Sequence, residues 1–159
     1  AGKMWLQSEP GKGSVFYFTI PHRLVNKTED GNQTSNYTIL VADDEILNFM
    51  VIQGMLMNLH VTLIHAKDGQ EAIDLFNENP NINLILMDIR MPRLTGDVAA
   101  STIKSLNPKI RIIAQSGYAF ENERVRYANI FDDYLTKPID EGVLISKISK
   151  YMNVSNEHG

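Results

Sequence analysis

Four short, mostly apolar runs in this chain each end on a polar residue: aspartate twice, then a serine and a lysine. TILVA leads into Asp43-Asp44, INLILM into Asp88, IRIIAQ into Ser116, and DDYLT into Lys137. Runs rich in Ile, Leu and Val without alternation read as strands buried on both faces, the signature of a parallel sheet. Ligands of such sheets bind outside the carboxyl ends of the strands. The residue that follows each run is therefore delivered to one common rim. Three carboxylates, a hydroxyl and an ammonium are what a divalent cation plus a phosphoryl group require.

From Tyr37 onward, strand and helix alternate five times, which predicts an α/β doubly wound parallel sheet. The first helix is expected over about 45–58, followed by the strand VTLIHA. The second helix opens on Asp68-Gly69-Gln70-Glu71, with Asp68 as N-cap and Glu71 reaching back as in a capping box. Ala72, Leu75, Phe76 and Asn79 fall on one face of it. The third helix follows Gly96, with Val98, Ala99, Thr102, Ile103 and Leu106 expected inward, and Pro108 stops it. A short polar helix is expected over about 121–129. The last starts near Asp140 as N-cap and buries Leu144, Ile145, Ile148 and Met152.

The first twenty residues differ. KMWLQSE and SVFYFTI flank Pro10-Gly11-Lys12-Gly13, a strong turn signal, so residues 1–20 read as a β-hairpin. Residues 21–36 are polar and aperiodic, as in a linker, and 154–159 form a tail behind the domain at 37–153. A lone hairpin is marginal in water. Its exposed edges could pair with a second chain, a route to a dimer. The chain opens in what reads as mid-strand, which suggests a piece of something longer.

Composition narrows the function classes. With 159 residues, 43% of them hydrophobic, the chain can build one globular core with residues to spare. The net charge of −4 and the lack of any Lys/Arg run give no nucleic-acid or membrane-binding surface. Cysteine is absent, which rules out disulfides and thiolate metal sites and fits a reducing compartment. No apolar stretch is long enough for a bilayer span, and no signal peptide opens the chain.

The pocket chemistry follows from the residue types. Adjacent strand residues face opposite ways, so Asp43 and Asp44 can share the rim only where the strand has ended. Three close carboxylates repel one another, and a divalent cation relieves that. All-oxygen ligation without Cys or clustered His favours Mg²⁺ (or Mn²⁺), with the backbone carbonyl of Arg90 as an additional ligand. Asp88 is the expected nucleophile, since a carboxylate can form an acyl phosphate. Lys137 would neutralise charge on the transferring group, and Ser116 would donate to a phosphoryl oxygen. Singly, each residue has an ordinary reading: helix N-terminal acids, a solvated lysine, a Ser-Gly turn. Their joint placement after separate strands is what points to a site.

These segments resemble the receiver domains of response regulators. ILVADDE is similar to the family's acidic turn, AKDGQEAIDLF to its second-helix opening, and LILMDIRMPRLTG to its phosphoacceptor segment. IIAQSGYA resembles its hydroxyl strand and DDYLTKPID its Lys-Pro strand. The resemblance spans residues 37 to about 153. It implies a flavodoxin-like (βα)5 fold with strand order 2-1-3-4-5. It also implies Mg²⁺ at Asp43, Asp44 and Asp88, and phosphoryl transfer from a phosphohistidine onto Asp88. Ser116 and Lys137 would sense the group, with Tyr134 as a rotating switch on the face made by the fourth helix, fifth strand and fifth helix. The resemblance makes Lys137-Pro138 a candidate cis bond, which the residues alone would make a minority outcome. Arg90 and Tyr118, two past the acceptor and two past the hydroxyl, would tune phosphoryl lifetime. Gly117 departs from the family's common Ala.

GKMWLQSEPGKGSVFYFTIP resembles the last hairpin of a sensor histidine kinase ATP-binding domain. The parent is then a hybrid kinase, a transferase, with ATP site and phosphorylated His upstream. It would be cytoplasmic at this end and anchored, if at all, through earlier segments. His22, His60, His65 and His158 lack a His-Glu helical setting and read as surface or core residues. The expected partners are the kinase's phosphohistidine dimerisation domain and a His-phosphotransfer protein. Among rivals, a haloacid-dehalogenase-like phosphohydrolase needs an acid where Arg90 stands. A flavodoxin-like cofactor binder needs a Ser/Thr/Gly loop where ADDE stands. A receiver-like interaction module that works without phosphorylation is the alternative that keeps every residue.

Overall fold

The computed structural model describes residues 3–9, 13–19, 37–117, 127 and 129–155. The chain divides into two units, Ala1–Gln33 and Thr34–Gly159. In the first, β1 (Lys3–Glu9) pairs antiparallel with β2 (Gly13–Thr19), with Lys3 opposite Thr19 and Glu9 opposite Gly13. That is the hairpin expected around the Pro-Gly-Lys-Gly segment.

The second unit runs β3 (Thr38–Ala42), α1 (Ile46–Met55), β4 (Thr62–Ala66), α2 (Gly69–Glu78) and β5 (Ile82–Asp88). It continues with α3 (Gly96–Leu106), β6 (Arg111–Ser116), β7 (Asp133–Thr136) and α4 (Glu141–Ser155). The five strands form one parallel sheet ordered β4-β3-β5-β6-β7, which is the expected 2-1-3-4-5. The expected helix over 121–129 and Tyr118 lie outside the described residues, apart from 127 and 129.

Alternate residues of the central strands feed two cores. Leu40, Ala42, Ile85, Met87, Ile112 and Ala114 pack with Ala72 of α2 and Ala99, Ala100 and Ile103 of α3. Ile39, Val41, Leu84, Leu86 and Ile113 pack with Ile52 of α1 and Leu144 and Ile148 of α4. Burial on both faces explains why these strands read as unbroken apolar runs.

α4 behaves as expected. Asp140 accepts the Val143 N–H at 2.9 Å, Leu144 and Ile148 are buried, and Ile145 and Met152 are partly buried. α3 corrects the expectation. Val98 and Leu106 are 47% and 55% exposed, and the inward stripe is Gly96, Ala99, Ala100 and Ile103. Small residues let α3 lie close on the sheet, and the bulkier Val98 is turned out.

From β3 the chain crosses to β4 on one side and then to β5 on the other. This reversal opens a crevice at the carboxyl ends of β3 and β5, the usual ligand position in such a sheet.

Candidate functional site

Register carries the first two acids together. Val41 pairs with Leu86 and Ala42 with Met87, so Asp43 leaves β3 beside Asp88 at the end of β5. Asp43 is wholly buried, Asp88 nearly so, and Asp44 is exposed at the rim. One carboxylate oxygen from each lies within 4.8 Å of the others, the only such acidic or His group among the described residues. This oxygen-only set fits a hard divalent cation.

Asp43 is held from several directions. Its Oδ1 accepts from the Glu45 N–H at 3.0 Å and from Asn48 Nδ2 at 3.0 Å, and Nδ2 also lies 3.2 Å from Oδ2. The bond to Glu45 closes the turn between β3 and α1; Asp43 lies ahead of the helix, whose first turn carries no acid. Its backbone carbonyl accepts from His65 Nε2 at 2.9 Å, which fixes that tautomer as N–H, and the His65 ring stacks on Phe49.

Asp88 is aimed by the turn after it. Its Oδ1 accepts the Arg90 N–H at 2.9 Å. Ile89 N–H donates to Gln115 O at 3.2 Å and Gly96 N–H to Ile89 O at 3.0 Å, closing the loop. Gly96 is required by close approach: a Cβ there would lie 1.9 Å from the Asp88 carbonyl oxygen. Arg93, at φ 63° in the same loop, ion-pairs with the buried Asp68. Asp68 also caps α2 through the Glu71 N–H at 2.9 Å. Glu71 reaches back, as expected, but to the Lys67 N–H at 2.8 Å.

Lys137 closes the pocket from β7. Its ammonium donates to Asp43 Oδ2 at 2.7 Å and to Asp88 Oδ2, and its N–H donates to the Ser116 carbonyl at 2.8 Å. The Lys137–Pro138 peptide bond is cis. Burial pushes the Asp88 carboxyl above its ordinary range, and Asp43 adds to this. The Lys137 ammonium and the Arg90 N–H pull the other way without cancelling it. Burial also opposes the charge on Lys137, yet its hydrogen bonds to Asp43 and Asp88 outweigh that and raise its pKa. The two directions are not those of a simple ion pair, in which the acid would fall. Desolvation dominates at Asp88, and two acids share one base.

Ser116 ends β6 and is buried at the same rim. Arg90 is exposed beside Asp88. Tyr134 packs into the α2/α3 core, edge-on to Phe131 at 5.9 Å, with Tyr127 beyond it at 6.0 Å. Four contributors were not anticipated: Asn48, His65, Arg93 and Gln115. Asn48 left a signal, as the polar residue in the first turn of the otherwise apolar ILNFMVI.

α1 carries no charge and exposes Ile46, Leu47, Met50 and Val51, with relative exposures of 54%, 69%, 57% and 54%. This stripe begins one turn from Asp43 and Asp44.

The sequence profile of the response regulator receiver domain matches residues 39–149. The chain is 31% identical over 132 residues to the autoinducer 1 sensor kinase/phosphatase LuxN of Vibrio campbellii, covering 83% of this chain and 15% of that protein. It is 33% identical over 128 residues to hybrid signal transduction histidine kinase I of Dictyostelium discoideum, covering 75% and 7%. It thus spans a small part of the length of these relatives. Among solved structures, the Francisella response regulator 1452 receiver domain superposes with a TM-score of 0.69 at 28% identity, over 74% of this chain and 98% of that one. A Saccharomyces cerevisiae co-crystal of the histidine phosphotransfer protein Ypd1 with the receiver domain of Ssk1 gives 0.67 at 26% identity, over 72% and 88%.

Proposed function

Because the chain belongs to the response regulator receiver family, we propose that Asp88 accepts a phosphoryl group from a phosphohistidine and that the domain relays or reports it. The observation that carries this reading is the clamp of Lys137 on both Asp43 and Asp88 beside a three-carboxylate cluster. In the transfer, an Asp88 oxygen forms a bond to phosphorus as the phosphorus–imidazole nitrogen bond breaks. The electron pair stays on the imidazole. Asp43, Asp44, Asp88 and the Arg90 carbonyl would hold Mg²⁺ or Mn²⁺, which when bound offsets negative charge on the phosphoryl oxygens.

The chain's own residues do the rest. The Arg90 N–H and the closed loop fix the attack angle of Asp88. Lys137 moves its ammonium onto a phosphoryl oxygen, an electrostatic role with the charge already in place. Ser116 donates to a second oxygen, and Tyr134 follows it inward, which biases a two-state equilibrium. Arg90 and Tyr118 shield the acyl phosphate from water.

The α1 stripe is the docking face for the donor. An apolar helix surface left open is a mark of an interaction site, and this one adjoins the rim that a donor histidine must reach. Its occupant is a helical phosphohistidine-bearing domain, either the dimerisation domain of a histidine kinase or a His-phosphotransfer protein. The Ypd1–Ssk1 co-crystal supports the latter as a partner class. Residues 1–20 are the end of a kinase ATP-binding domain and 21–36 a linker, in a hybrid kinase with this part in the cytoplasm; the tail expected from 154 begins later, since α4 continues through Ser155. Among the described residues no helix is long and apolar enough to cross a membrane.

Peptide mapping after phosphorylation by a small acyl phosphate, with the product trapped by hydroxylamine, tests the assignment. Modification at Asp88 is expected; modification elsewhere contradicts it.

A further inference from the structure

Gln115 is fully buried, and neither its Oε1 nor its Nε2 has a hydrogen-bond partner among the described residues. A buried carboxamide left unpaired is destabilising, and native proteins keep few of them. The position of this one suggests why it is kept.

Gln115 pairs in register with Asp88 on β5 and with Leu135 on β7. Side chains of one register row face the same side of a parallel sheet. Leu135 packs in the α1/α4 core, so the Gln115 amide lies on that face, between Leu135 and Asp88. Lys137 is two residues beyond Leu135 and so faces the same way, one step nearer the rim. Its ammonium reaches Asp88 and Asp43, at the ends of β5 and β3. To arrive there from β7 its stem must cross β6, where Gln115 is the last residue of the strand on that face.

We infer that Gln115 is a positioning residue for Lys137, unpaired while the lysine is clamped to Asp43 and Asp88 and hydrogen-bonded once Asp88 is phosphorylated. When the phosphoryl group draws the ammonium off Asp43, Oε1 accepts from the ammonium. Nε2 then donates to the Asp88 carboxyl oxygen that carries no phosphorus. The unpaired amide raises the free energy of the resting form alone, so its relief favours the phosphorylated form. This rests on Asp88 being the acceptor.

The test compares the wild-type chain with Gln115→Leu and Gln115→Met. Three quantities are measured: the melting temperature, Mg²⁺ affinity, and the affinity for beryllofluoride, a phosphoryl analogue, at saturating Mg²⁺. Both variants are expected to melt about 4 °C higher, because an unpaired buried group has gone. Mg²⁺ affinity stays unchanged, and beryllofluoride affinity falls about tenfold. A purely structural glutamine would not weaken analogue binding while stabilising the fold. Beryllofluoride affinity within twofold of wild type would overturn the inference, as would a lower melting temperature, which would mean the amide is paired at rest. Failure of the wild type itself to bind beryllofluoride would instead sink the acceptor reading, and this inference with it.

Discussion

α1 and α2 follow successive strands of one sheet, yet one is completed by its own chain and the other is not. α2 has a side-chain cap at Asp68, an acid in its first turn at Glu71, and its Gly69 N–H on the Leu94 carbonyl at 3.2 Å. Through Gly69 and the Asp68–Arg93 pair it is fastened to the loop that aims Asp88. α1 has no side-chain cap from Glu45 and no charge in its first or last turn. A helix apolar all round is normally buried, but α1 buries Ile52 and leaves Leu47, Met50 and Val51 in the open. The difference fits the two tasks proposed above: α2 is fastened to the loop that aims Asp88, and α1 is left open beside the pocket, where the proposed donor would dock.

The same substitution should act oppositely on the two helices. At Gly69 a Cβ would lie 2.5 Å from the Leu94 carbonyl oxygen, and backbone must move to admit it. Gly69→Ala is expected to lower stability by about 3 kcal/mol in urea unfolding, the largest effect foreseen. A change under half of that would mean α2 is not stapled to the acceptor loop.

Next in size is the partner face. Leu47→Asp puts an anion in the first turn of α1, where the helix dipole favours it, so the fold should stand. Phosphotransfer from a phosphohistidine domain should slow about thirtyfold, while phosphorylation by a small donor keeps its rate. Equal loss with both donors would show damage to the pocket rather than to docking.

A smaller effect lies in the pocket between them. The folded-state pKa of Asp88 is raised from 3.8. Its contribution is therefore present below that value and lost as pH rises through the folded pKa. In urea titrations the wild type should lose stability relative to Asp88→Asn across that window and stay behind at neutral pH. A relative gain with rising pH would mean that Lys137, not burial, governs Asp88. Smallest is Gly54→Ala on α1, where nothing lies within 4 Å of the added methyl. It should stabilise the chain by about 0.7 kcal/mol through helix propensity alone. A loss would show that α1 is more constrained than its exposure indicates.

The rim was legible in the sequence because β3, β5 and β6 are written as largely apolar runs and each ends at a candidate residue, whereas β7, DYLT, is only partly buried. Hence Asp43, Asp88, Ser116 and Lys137 fall at their expected strand ends. The inward face of α3 was not legible. Hydrophobicity ranks Val98 above Ala99 and Ala100, but close approach to the sheet selects the small residues. Arg93 at positive φ, His65 on a backbone carbonyl and the unpaired Gln115 in the row of Asp88 and Leu135 depend on how strands and loops come together, which no local pattern encodes. The α1 stripe could be read as apolar but not as exposed, since burial is decided by the rest of the fold.

The central claim is that Asp88 is a metal-assisted phosphoryl acceptor. Intact-protein mass after incubation with Mg²⁺ and a small phosphodonor, for the wild type and for Asp88→Asn, tests it most directly. The account predicts a gain of one phosphoryl group by the wild type alone, abolished when a chelator is added first. An equal gain in both proteins, or a gain that survives the chelator, would contradict it.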